Sequence, residues 1–168
     1  MTTYEKFLLL NIDGSLISLE RADCSYSDFF CYPTNARTIG FEGCIMYCFI
    51  DEYGETVFAC NPESCADIYV YPLARDFLDF MRLILACGSA NPAEQIIWMN
   101  ERQFEQHLRD EKEIRTAEQK ELLLRLEKEL DITPMENPFE YVKDLQSGFD
   151  YGKIQYSDEY YNVMGIER

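Results

Sequence analysis

Side chains able to do chemistry are plentiful in this chain, and their spacing limits what chemistry they could do. It holds 31 acidic residues, seven cysteines, twelve tyrosines and one histidine. A general acid and base pair needs two carboxylates in unlike environments, yet the acids are so numerous that any two could be named, and their abundance singles out none. Asp13, Asp51 and Glu52 lie in stretches with turn chemistry and are expected there as turn residues. The charges between Glu101 and Leu130 are expected to form a solvated helix face. His107, beside Gln106 and close to Arg109, has no nucleophile or acid spaced to work with it and is read as an exposed helix residue. Cys44 and Cys48 share a strand face, but about 13 Å of strand separates them, too far to grip one ion. Cys60 and Cys65 flank a loop and could meet. No CxxC or CxxH pair starts a zinc site, and neither GxGxxG nor GxxxxGK supplies a phosphate cradle. No catalytic, cofactor-binding or metal residue is therefore assigned, and no cofactor is expected.

Tyrosines offer a different chemistry. Tyr151, Tyr156, Tyr160 and Tyr161 crowd the C-terminal segment, and tyrosine buries a large area at small entropic cost, which suits an interface anchor as well as a cover for the domain's own sheet. The balance of 31 acids against 15 bases gives a net charge of −16. That field repels phosphate backbones and anionic membrane surfaces and favours a basic protein partner. Both halves of the chain share the acidic excess, so the charge belongs to the fold and not to a tail. With 47% hydrophobic residues in 168, one domain can build its core without staples. The start Met-Thr-Thr-Tyr-Glu-Lys lacks the order of a secretory signal and no long apolar run occurs, so a cytoplasmic protein with reduced cysteines is expected.

The elements that would position these groups follow from apolar spacing. Residues 4–10 and 15–21 are expected as an opening hairpin turned by Asn11 to Gly14. A connection from 22 to 43, carrying Tyr26, Phe29, Phe30, Tyr32 and Phe41, should pack onto the sheet, with a short strand at 37–41. Gly43 to Asp51 is apolar in both parities and is expected as a strand buried on both faces. Glu52, Tyr53 and Gly54 turn it into a partner strand at 56–60, and a further strand spans 67–71 before Pro72 closes it. Leu73, Phe77, Phe80, Met81, Ile84 and Leu85 recur at helical spacing, giving a helix to Cys87 that Gly88 ends. Asn91-Pro92-Ala93-Glu94 has the form of a helix start, with Ile96, Ile97, Trp98 and Met99 as its buried part. After a bend at Asn100, one long charged helix is expected over 101–130, laced by Glu105 with Arg109, Glu111 with Arg115 and Glu121 with Arg125. Leu122, Leu123, Leu124, Leu126 and Leu130 at its end need a partner surface, supplied by the C-terminal segment or by a second copy. Asn137-Pro138 opens a short helix that Gly148 ends, and the aromatic tail after it should pack against the body.

The run Gly43-Cys-Ile-Met-Tyr-Cys-Phe-Ile-Asp-Glu-Tyr-Gly-Glu-Thr-Val-Phe-Ala, followed by Val70-Tyr-Pro-Leu-Ala-Arg-Asp-Phe-Leu-Asp-Phe-Met-Arg-Leu-Ile-Leu-Ala, resembles the core of the SUKH superfamily. Phe77, Leu78 and Phe80 match that family's "sFeeFL" phrase at the start of a helix behind a strand pair. The group includes fungal regulators of cell-wall synthesis and many bacterial immunity proteins. The resemblance implies a non-catalytic binding domain, often encoded beside a toxin that it neutralises, and no cofactor.

The expectation is a single α+β domain, core at about 4–108, long helix at 101–130 and aromatic segment at 134–168, with a mainly antiparallel sheet covered by helices. Its function is expected to be protein binding, with Glu52, Tyr53, Glu55, Asp158, Glu159, Tyr160 and Tyr161 facing a basic, toxin-like partner. Two alternatives remain open. One is an enzyme with carboxylates in a cleft between sheet and tail, and the other is a homodimer joined through Leu122, Leu123, Leu126 and Leu130.

Overall fold

A computed structural model describes residues 1–21 and 28–168, so Tyr26 and the start of the 22–43 connection lie outside the described residues. Among the described residues the fold is α+β: four antiparallel strands in the order β1-β2-β3-β4, with seven α-helices. The strands are β1 (Ala36–Glu42), β2 (Ile45–Ile50), β3 (Val57–Cys60) and β4 (Val70–Ala74). The two-parity apolar pattern has the expected consequence, because β2 sends Tyr47 and Phe49 into one core and Met46, Cys48 and Ile50 into another. No helix among the described residues is long and apolar enough to cross a membrane.

Helices cover the first face. α1 is Thr3–Leu8, α2 Phe77–Cys87, α3 Ala90–Gln95, α4 Glu101–Ile114, α5 Ala117–Leu130, α6 Pro138–Gln146 and α7 Asp158–Met164. α2 lies on the sheet as its spacing demands: Phe80 meets Tyr47 at a ring separation of 5.7 Å, and Phe77 meets Phe49 at 6.4 Å. Phe77, Phe80, Met81, Leu83, Ile84 and Leu85 are all buried, each contributing roughly 1.5–3 kcal/mol of apolar burial. The helix starts later than expected. Leu73 belongs to β4, and Asp76 caps α2 by accepting from the Asp79 amide at 2.8 Å. Pro72 does not close β4 but sits inside it, on an edge strand and beside a register irregularity, the two settings that tolerate a missing donor. α6 covers that edge, with Gln146 donating to the Pro72 carbonyl at 3.1 Å.

Further expectations are corrected. The opening hairpin is instead α1 and a 3-10 turn at Gly14–Ile17. Thr2 and Glu5 form a reciprocal capping box, and Asp13 accepts from the Ser15 amide, so the Asp-Gly pair starts a helical turn and not a β-turn. Ser89, not Asn91, takes the N-cap position of α3, and Trp98 is 42% exposed while Ile96 and Met99 are buried.

The long helix is two helices, because Arg115 is extended and Thr116 caps α5 by accepting from the Gln119 amide at 3.1 Å. A continuous helix of that length would run about 45 Å in one direction. The break lets Phe104 of α4 and Leu122, Leu123, Leu126 and Leu130 of α5 enter the same core. None of the three anticipated Glu–Arg pairs forms an ion pair among the described residues; Arg125 reaches Glu129 instead, at 3.0 Å.

Candidate functional site

Among the described residues, the second face of the sheet is covered largely by loop segments, with Tyr160 of α7 packed against them. Phe41, Met46, Cys48, Ile50, Phe58, Cys60 and Val70 meet Cys31 and Tyr32 from the first connection and Ile154 from the tail. Residues 149–157 form a strap over these side chains. Asn35 anchors it by donating to the Lys153 carbonyl at 3.2 Å and accepting from the Gln155 amide at 3.1 Å, while the Thr34 amide donates to the Gln155 carbonyl at 2.7 Å. Rings complete the cover: Phe149 packs edge-on to Phe58 at 5.6 Å, and Tyr156 stacks on Tyr160 at 3.7 Å with only 10° between planes.

The residues expected to face a partner divide around this strap. Tyr53 locks the strap, its hydroxyl donating to the Asp150 carbonyl and accepting from the Lys153 amide, each at 2.9 Å. Glu52 is exposed in the β2–β3 turn at a positive φ of 78°. Glu55 lines a depression of about 320 Å³ with Arg37, Phe49 and Asp76. Asp158 and Tyr161 line a separate depression of about 590 Å³ with Thr34 and Arg168. Asp158 pairs with Arg168 at 2.8 Å, Glu159 is exposed, and Tyr160 and Tyr161 are half-buried and edge-on to each other at 5.3 Å. The structure thus brings Asp158, Glu159, Tyr160 and Tyr161 together on α7 and leaves Glu52 and Glu55 on the hairpin, with Tyr53 joining hairpin to strap.

The most perturbed carboxylates lie elsewhere. Glu94 of α3 is 3% exposed and accepts from the Tyr71 hydroxyl and, at 2.9 Å, from the Asn61 side chain. Burial pushes its carboxyl above the usual range, and those two hydrogen bonds pull it part of the way back. Glu42, at the end of β1, is raised chiefly by burial as well, against hydrogen bonds from Asn91 at 2.7 Å and Tyr47 at 3.3 Å. Each carboxylate is thus held by donors, and five well-formed depressions in the surface have neither in their walls. The space between sheet and tail, where the alternative of an enzyme would put its cleft, holds packed rings and thiols.

Comparison with known protein families, with curated proteins and with solved structures finds no match in any of the three. The chain's own geometry is therefore what bears on its function.

His107 is half-buried, with Nε2 3.5 Å from the Gln95 side chain, and not fully exposed as its polar neighbours suggested. Cys60 lies not against Cys65 but against Cys48, Sγ to Sγ 3.6 Å, and Cys65 is exposed. Among the described residues no group of three or more His, Cys, Asp and Glu is arranged to hold a metal. Leu122, Leu126 and Leu130 sit inside the chain's own core, so they could meet a second copy only by leaving it; Leu123 belongs to that core too but lines a surface depression, and Leu124, 68% exposed, faces out.

Two residues were missed by sequence reasoning. Glu94 passed for an ordinary first-turn acid, although its neighbours Pro92, Ala93 and Ile96 are apolar, which is the available sign that its helix is buried on that side. Glu42 ends a strand next to Gly43 and carries no sign of its burial.

Proposed function

We propose that this chain is a non-catalytic protein-binding domain of SUKH type, acting in the cytoplasm as an immunity protein that neutralises a basic toxin. The observation that carries the reading is the α7 surface. Half-buried Tyr160 and Tyr161 present ring area beside exposed Glu159 and Asp158, on a domain of net charge −16. Packed tyrosines give an interface large contact area at low entropic cost, and the acidic field accelerates encounter with a cationic partner and disfavours others. The resemblance of the β2–β3–β4–α2 run to the SUKH core adds the toxin, since such domains are often encoded beside one.

The test is the association rate with the cationic product of a neighbouring gene, measured at about 50 and 500 mM salt. The rate should fall at least tenfold at the higher salt, and Tyr160→Ala with Tyr161→Ala should speed dissociation. A salt-independent rate, or affinity untouched by the double variant, overturns the reading.

One observation favours an enzyme instead: buried Glu94 and half-buried Glu42 are two carboxyls held above their usual range. That reading requires Glu94→Gln to abolish whatever function the chain has, whereas the binding reading requires partner affinity to survive it.

A further inference from the structure

One groove inverts the charge of the whole surface. Where α4 breaks and α5 begins, two adjoining depressions of about 440 and 530 Å³ share Leu85, Lys112, Arg115 and Pro134 in their walls. Lys120 and Arg109 add two more cations, against only Glu127 and Glu136. In a chain where acids outnumber bases two to one, this neighbourhood carries four bases to two acids. None of the four bases forms an ion pair among the described residues.

Arg115 is the most unusual of them. Its guanidinium packs onto Gly88 so closely that a Cβ there would collide with it, and its Nε is buried with no hydrogen-bond partner. A buried donor left unpaired is destabilising, and this one sits in a molecule rich in acceptors.

The floor is apolar: Leu85 and Leu123 lie beneath, and Leu124, 68% exposed, stands at the rim.

We propose that this groove docks a short acidic segment of a partner protein, an amphipathic stretch that seats apolar side chains on Leu85, Leu123 and Leu124 and sets carboxylates against Lys112, Arg115 and Lys120. The charge pattern selects the occupant. A long polyanion such as nucleic acid would meet the repulsion of the whole −16 domain, whereas a segment of a few turns meets only the local cations. Two adjoining hollows with an apolar floor suit an amphipathic helix laid in a groove. This surface is independent of the tyrosine face on α7 and takes the opposite charge.

The probe is a labelled peptide of about four helical turns, Glu-rich with Leu on one face, titrated by fluorescence anisotropy against the full chain. A twin with Ser in place of every Leu serves as control. The Leu peptide should bind. Lys112→Glu with Lys120→Glu, both exposed positions, should weaken it at least tenfold, and the Ser twin should bind at least tenfold more weakly than the Leu peptide. Absence of binding up to about 1 mM peptide, an unchanged affinity in the double variant, or equal affinity for the Ser twin each overturns the proposal.

Discussion

The two faces of the sheet are built from unlike materials. The helical face packs Phe80, Met81, Leu83, Ile84 and Leu126 into a core where each is fully buried and each belongs to a helix with its own hydrogen-bond ladder. The strap face uses rings, thiols and a segment whose backbone is held by Thr34 and Asn35 instead of by a sheet or helix ladder. Segments with few backbone bonds of their own open at lower free energy than ladders do. By that principle the helical face should hold global stability and the strap face should open first, with the tyrosines proposed for partner binding on the strap side.

Phe80→Ala is the largest test. It removes a fully buried ring that contacts Tyr47 and Phe77, and should cost about 3–5 kcal/mol of global stability in denaturant unfolding. Phe149→Ala on the strap face should cost clearly less, because Phe149 is only partly buried. Equal losses would erase the distinction between the faces.

Asn35→Ala comes next. It removes one of the strap's side-chain anchors, leaving Tyr53 in place, a loss of about 0.5–1.5 kcal/mol, and that loss should appear as local opening. Hydrogen exchange at the Gln155 amide, which donates to Asn35, should accelerate far more than exchange within β2. If both accelerate together, the strap is part of the global unit.

The same contrast explains what was legible in the chain. Strand β2, its turn into β3, and α2 follow from local rules: apolar parity, Gly54 in the turn and helical spacing ended by Gly88, whose φ of 88° suits glycine. Cover for the second face was also foreseeable, since five aromatic residues after Gly148 exceed what a disordered end would carry.

What failed depended on competing short motifs. Thr2 with Glu5 and Thr116 with Gln119 carry helix-start chemistry, but apolar runs and charge pairing drew the reading toward a hairpin and one long helix. Pro72 misled because its tolerance depends on which strand lies at the edge, a property of topology and not of local sequence. Burial of Glu42 and Glu94 is set by the packing of α3 near the ends of three strands, a long-range arrangement that no spacing encodes.

Thr116→Ala sharpens the helical side of the comparison. Loss of the cap on α5 should cost about 1 kcal/mol, measured as global stability with exchange in the strap unchanged, because α5 packs into the helical core alone.

Glu94→Gln has the smallest effect at any single pH, since the amide keeps the shape and an acceptor oxygen for Tyr71 and Asn61. Its value lies in the pH dependence. Burial raises the Glu94 carboxyl above 4.5 in the folded state, so from about pH 4.5 upward the native protein retains a proton that the unfolded chain has released. Stability contributed by that proton is fully present below pH 4.5 and is lost as pH rises through the folded value. Gln has no proton to lose, so the stability of wild type relative to the variant should decline as pH rises above about 4.5 and recover below it. Glu42 is raised in the same direction and stays in the variant, which leaves a residual slope of the same sign. Among the described residues the strap buries no carboxylate. An acid-range slope that vanished on loosening the strap with Asn35→Ala, and survived Glu94→Gln intact, would therefore place the titrating group on the wrong face and undo the division drawn between them.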